Sequence, residues 1–204
     1  MNPLLAADLQ ENLVLASASP RRAQILEMLG FRFDIVPTDV EEDALPGETP
    51  RQHAEELACA KAAAAAHQLP GKICIGADTI VVLDGDVLEK PTSQEDALGM
   101  LQRLQGRWHT VFTAVALHHE ARQRFCSGIE ATEVHFRQLD DDILKRYATS
   151  GEPDDKAGAY AIQGLGAMLV REVRGCFYNV MGFPIVRFLD LLDEMHLDEG
   201  ATHV

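Results

Sequence analysis

The hydrophobic pattern changes period several times along the chain, and each change marks an element. Leu13 to Ala16 is continuously apolar and predicts a short buried strand. Arg21 to Leu29 then carries Ile25, Leu26, Met28 and Leu29 at helical spacing and stops at Gly30. Pro20 suits the first helical position, because the N–H it lacks is one that a helix start leaves unpaired anyway. Phe33 to Val36 predicts a second strand, followed by the acidic loop TDVEEDALPGE. Thr49 predicts an N-cap, with Pro50 at the first position and Gln52 completing a capping box, and opens an Ala-rich helix to about His67. KICIGADTIVVLDGDVLEKP reads as two strands around the hairpin turn Asp84-Gly85. Ser93 and Asp96 open a helix to about Leu104, and strands follow at Thr110 to Leu117 and Glu130 to Phe136. A helix from Asp140 to Thr149 ends near Gly151, the polar loop GEPDDKAGAY leads into a strand AMLVREV, and Pro184 opens a last helix through Leu192.

This irregular alternation, with hairpins as well as crossovers, predicts an α/β fold on a mixed sheet. Residues 1–12 read as an N-terminal extension, 13–192 as a single domain, and 193–204 as a frayed tail. A chain of 204 residues is long enough to bury roughly 70% of its unfolded surface. Its net charge of -14 excludes a general grip on nucleic acid or an anionic membrane, so any phosphate site must be a local cluster of cations. Cys59, Cys74, Cys126 and Cys176 are widely spaced in small or apolar surroundings, as reduced core thiols are, which predicts a cytoplasmic setting. No apolar run approaches a membrane span, and MNPLLAADLQEN lacks the basic start of a signal peptide.

Against that acidic background the segment LVLASASPRR stands out. A helix start already carries about half a positive charge, so Arg21 and Arg22 there predict an anion. Asp78 interrupts an otherwise buried strand, and an unpaired carboxylate in such a place costs several kcal/mol. Two readings stand side by side: a structural carboxylate capping a turn or paired with a lysine, and a metal ligand or general base. Arg21, Arg22, Lys61, Lys90 and Lys156 each sit among small or apolar residues. Singly each reads as a solvated salt bridge; jointly they predict a shared cleft holding a polyphosphate. Glu41, Glu42, Asp78 and Asp155 would supply oxygens for Mg²⁺. Ser17 and Ser19 with His109 could be drawn as a hydrolase, but without a GxSxG elbow or an orienting acid the two serines read as capping and phosphate contacts. His118 and His119 read as solvated and Trp108 as core. Neither GxxxxGK[ST] nor GxGxxG is present, so nucleotide binding must use another architecture.

ASASPRR, TDVEED, ELACAKA, GADTIVVL, LEKP, GRWHTVFTAVAL, SGEPDDKAGAYAIQG and FYNVMGFP together resemble, in order and spacing, the Maf family of nucleoside triphosphate pyrophosphatases. The resemblance covers Leu13 to about Leu192 and implies a mixed twisted sheet with flanking helices and two lobes around a central cleft, related to the inosine triphosphatases. It implies a divalent cation, Mg²⁺ or Mn²⁺, held by Asp78 and Glu41, and a homodimer. It makes Asp78 the proton acceptor for an attacking water, places Glu41, Lys61 and Lys90 on catalytic positions, and adds Ser17, Ser19, Arg22 and Lys156 as substrate contacts. Arg21, Thr79 and Gln163 fall on the positions that sort substrates, and all three match the dTTP/UTP branch. Glu89, Ala161 and Phe183 depart from the family's usual residues, and Glu89 next to Lys90 would weaken phosphate binding unless the two point to opposite faces of a strand. The rival classes are a non-catalytic nucleotide sensor linked to cell-division arrest and a phosphatase releasing orthophosphate.

Overall fold

The computed structural model describes residues 2, 4, 10–41 and 47–196; the expectations for Glu42, for most of the N-terminal extension and for the tail lie outside the described residues. Among the described residues, seven strands and six α-helices follow one another as β1 (Leu13–Leu15), α1 (Pro20–Met28), β2 (Phe33–Ile35), α2 (Pro50–Gln68), β3 (Ile73–Leu83), β4 (Asp86–Leu88) and α3 (Gln94–Leu104). Then come β5 (Trp108–His119), β6 (Arg124–Phe136), α4 (Asp141–Ala148), β7 (Val170–Arg174), α5 (Phe177–Val180) and α6 (Ile185–His196). The strands form one mixed sheet in the order β2-β1-β3-β5-β6-β7, with β4 paired to β3. β1 is parallel to both β2 and β3, whereas β3–β4 and β6–β7 are antiparallel.

The chain divides into two compact units, the first comprising residues up to Asp78, Ala114–Ile129 and from Gly182, the second Thr79–Thr113 and Glu130–Met181. In the first unit Val14, Ala16, Ala65, Ala66 and Cys74 pack together, while Phe31 and Phe183 pack their rings on Phe188. The predicted capping box at Thr49 and Gln52 is present at the start of α2, with Pro50 in its first turn. Burial raises the thiols of Cys74 and Cys126 to about 11 and about 12, so both are protonated and inert at neutral pH.

In the second unit α3 and α4 pack on each other around Leu101, Leu104 and Leu144. Asp84 and Gly85, at φ 55° and 92°, close the β3–β4 hairpin as a two-residue turn with both residues left-handed, which is why Asp-Gly serves there. β4 ends at Leu88, so Glu89 and Lys90 are not strand neighbours on opposite faces; both are exposed, and the Glu89 carbonyl accepts from the Gly158 N–H at 3.0 Å.

Several expectations are corrected. β5 and β6 run longer than the pattern predicts, because the charged segment between them is only a tight 3-10 turn, Glu120–Arg122. His119 is therefore buried and His118 half-buried. Trp108 is not core; it stacks on His135 at 4.8 Å, and Arg174 lies 4.1 Å over its ring. AMLVREV is a strand only from Val170, since Gly164–Met168 forms a 3-10 turn.

α2 lies close against β3 because position 76 has no side chain. A Cβ on Gly76 would stand 2.1 Å from the Ala58 carbonyl oxygen and 2.5 Å from the Ala62 nitrogen, both backbone atoms that cannot swing away. Gly76→Ala is expected to lower stability by about 1–3 kcal/mol and the melting temperature by several degrees. Gly71→Ala, at a site with open space, should leave melting unchanged in the same calorimetric comparison.

Candidate active site

The first unit holds Ser17, Ser19, Arg21, Arg22, Glu41, Lys61 and Asp78. The close approach at Gly76 sets the Lys61 ammonium 2.8 Å from Oδ1 of Asp78, two residues further along β3 and on the same face of the strand. The two side chains are only 12% and 14% exposed, so this charge pair is largely withdrawn from water. Of the two readings of Asp78, the lysine-paired carboxylate is present in the structure. Pairing does not remove the chemical one, because a carboxylate has a second oxygen.

SPRR does two different things. Arg22 donates through Nε to the Gly182 carbonyl at 2.9 Å and through a terminal nitrogen to Ser17 Oγ at 3.0 Å, tying the loop after β1 to the turn before α6. Ser17 Oγ also accepts from the Ser19 N–H at 3.2 Å, so what the buried Ser17 hydroxyl has left to give a ligand is its proton. Ser19 is the N-cap of α1 without capping through its side chain, and no acidic residue occupies the first turn. Arg21 is half-buried at that helix start and Glu41 is exposed. Among the described residues no three His, Cys, Asp or Glu side chains group as a ready metal cage. Mg²⁺ needs no such cage, because it usually keeps one or two protein carboxylates and takes its other oxygens from substrate phosphates and water, and Asp78 has an oxygen beyond the one that Lys61 engages.

The second unit holds Thr79, Lys90, Lys156 and Gln163. Thr79 directly follows Asp78 in β3, and its Oγ1 lies 3.0 Å from Oγ1 of the buried Thr113 in β5. Thr113 gives its only hydroxyl proton to the Asn179 carbonyl at 2.8 Å, so Thr79 must donate to Thr113 and can offer a ligand only lone pairs. Asn179 donates in turn to the Val111 carbonyl and to Thr132 Oγ1, each at 2.9 Å. Thr113 and Asn179 were missed from the sequence, although a threonine inside the apolar run VFTAVAL is the same signal that exposed Asp78. Lys156 bonds the Asp155 carboxylate and the Glu152 carbonyl at the head of a tight loop in which Gly158 and Ala159 are both left-handed, at φ 68° and 57°. For Ala159 that conformation costs on the order of 1–2 kcal/mol. Gln163 is half-buried and caps nothing with its side chain.

These features fall within a known family. The chain belongs to the Maf-like proteins, whose family model matches residues 12–195, close to the span 13–192 read from the motifs. A dTTP/UTP pyrophosphatase of Pelotomaculum thermopropionicum is 46% identical over 182 residues, covering 89% of this chain and 95% of that protein. One of the same name from Syntrophus aciditrophicus is 41% identical over 187 residues, 92% and 91% of the two chains. Among solved structures, a nucleoside-triphosphatase / dITP/XTP pyrophosphatase of Mycobacterium abscessus aligns over 94% of this chain and 99% of its own at 12% identity and a TM-score of 0.44.

His109 takes no part in a hydrolase triad. Its ring is 3% exposed, Nε2 lies 2.7 Å from the Tyr160 hydroxyl, Phe136 packs edge-on at 5.1 Å, and Nδ1 has no hydrogen-bond partner among the described residues. Burial, with a smaller push from His135, lowers its pKa from 6.5 to about 4. An imidazole held neutral in the folded state contributes stability that is complete above pH 6.5 and is lost as the pH falls toward 4, because the unfolded chain takes up the proton first. The loss amounts to roughly 3 kcal/mol over that window. Denaturant melts of the wild type and His109→Gln from pH 7 to 4.5 should show the steeper acid loss in the wild type; parallel curves would clear His109 of this role.

Proposed function

We propose that this protein is a hydrolase acting on acid anhydrides that cleaves dTTP and UTP between the α- and β-phosphates, releasing the monophosphate and pyrophosphate. The observation that carries the reading is the Lys61–Asp78 pair, a water-shielded carboxylate fixed by a cation. Relatives at 40–46% identity that bear the name dTTP/UTP pyrophosphatase support this reading. Lys61 engages Oδ1, so accepting the proton of the attacking water falls to Oδ2 of Asp78. The Ser17 hydroxyl, Ser19, Arg21 and the N-terminal N–H groups of α1 receive phosphate oxygens, with Arg22 holding the loop in shape. Lys61, Lys90 and Lys156 offset the charge that develops on the leaving pyrophosphate. When bound, Mg²⁺ or Mn²⁺ on Asp78 and Glu41 supplies further neutralisation of the triphosphate. The cytoplasm is the compartment we assign, supported by four free cysteines, and a homodimer the assembly.

Release of pyrophosphate against orthophosphate, measured over a panel of nucleotides, separates this reaction from a phosphatase or a silent sensor. Asp78→Asn should lower turnover by roughly two to four orders of magnitude, with a modest stability loss of about 1–3 kcal/mol because the amide oxygen still accepts from Lys61. EDTA should abolish activity and Mg²⁺ or Mn²⁺ restore it; full turnover in chelator would refute the metal assignment.

Gln163 offers both an acceptor and a donor, which complements the N3–H and O4 edge of uracil or thymine. Gln163→Glu removes the donor, and kcat/KM for dTTP and UTP should fall roughly ten- to a hundredfold. Unchanged discrimination against guanine nucleotides would remove Gln163 from base reading.

A further inference from the structure

Gln163 occupies a position where the backbone would normally claim a side chain. It is the N-cap of the 3-10 turn Gly164–Met168, where a short Ser, Thr, Asp or Asn side chain would ordinarily accept the N–H of the second or third residue and the longer glutamine makes no such bond. Here those two N–H groups go elsewhere: Leu165 donates to Oε2 of Glu152 at 2.9 Å and Gly166 to Oε1 at 2.8 Å. Oε1 also accepts from the Tyr147 hydroxyl at 2.9 Å, and that hydroxyl accepts from the Ala161 N–H at 3.1 Å. The backbone is thus pinned two residues before Gln163 and two and three residues after it.

The fit around this carboxylate leaves no room for side chains. A Cβ on Gly164, which is left-handed at φ +67°, would stand 2.5 Å from Oε2 of Glu152. One on Gly166 would stand 2.1 Å from the Ala161 carbonyl oxygen and 2.7 Å from the Tyr147 hydroxyl. Three donors converge on two oxygens, which only a carboxylate satisfies; an amide would turn one acceptor into a donor facing an N–H.

We infer that Glu152 is a positioning residue for Gln163: its carboxylate, seated by Tyr147, caps the turn in place of Gln163 and leaves the Gln163 amide to the base of a bound nucleotide. This rests on the pyrimidine reading proposed above. It assigns substrate sorting to a residue that touches no substrate.

The test measures kcat/KM for UTP, dTTP and GTP with Glu152→Gln and Tyr147→Phe, each in the wild-type and Gln163→Ala backgrounds. Glu152→Gln should lower kcat/KM for UTP and dTTP about tenfold, mainly through KM, and that for GTP far less. In the Gln163→Ala background the same substitution should leave the UTP:GTP ratio within about twofold, since the amide it positions is gone. A purely structural clamp gives the opposite: equal losses for all three nucleotides, or the same ratio shift with and without Gln163, and either result overturns the inference. Should Glu152→Gln fail to fold, Tyr147→Phe, which removes one of the three donors, decides by the same ratio. A wild-type enzyme without preference for UTP and dTTP over GTP would overturn the pyrimidine reading and this inference with it; a preference surviving intact in Glu152→Gln overturns the inference alone.

Discussion

The backbone-to-backbone approach of α2 and β3 at Gly76 is the constraint on which the first unit depends. Ala54, Ala58, Ala62, Ala65 and Ala66 line the buried side of α2, and small residues on both partners let the helix settle closer than side chains of ordinary size allow. Lys61, next to Ala62 in that helix, is brought to Asp78 by the approach. A carboxylate so little exposed would be costly alone, and removing one member of a buried pair typically costs about 3–5 kcal/mol. The chemistry proposed for Asp78 therefore rests on a packing detail two residues away.

The second unit solves a related problem with neutral groups. Thr79, Thr113, Asn179 and Thr132 form a chain of hydroxyls and an amide in which each proton has one destination, and this fixes the polarity of Thr79. Glu152 and Tyr147 do the same for the loop around Gln163. Leaving one such group unmade in the interior costs about 1–3 kcal/mol, so these networks hold single geometries where a loop would otherwise sample many. Two of the three positions proposed to sort substrates, Thr79 and Gln163, thus stand in networks built by residues outside that set. At the third, Arg21, the neighbouring Arg22 performs the corresponding task by anchoring its loop to Gly182 and Ser17.

Much of the fold was legible from local rules that act over a few residues. The capping box at Thr49, the N-cap at Ser93 and the left-handed Asp84-Gly85 turn are decided by nearest neighbours, and all three stand in the structure. Asp78 was legible as an anomaly, a charge inside an apolar strand. The family was legible too, because its segments recur in order along the chain. Misread places share a cause: His119, Trp108 and the ends of β5 and β6 take their environment from strands paired across the sheet, and periodicity within one segment carries no record of its partner.

The sequence by itself determined which residue types were available, where helices could start, and that cations and carboxylates had been placed among apolar residues at a cost that demands a reason. Only the tertiary structure decided which oxygen of Asp78 Lys61 takes, that Arg22 bonds Gly182 and Ser17, that Thr79 gives its proton to Thr113, and that Glu152 caps a turn more than ten residues away. Hydrogen bonds are directional and short, so their assignment depends on positions fixed to a few tenths of an ångström. Those positions are set by packing between segments far apart in the chain, and no local pattern encodes them.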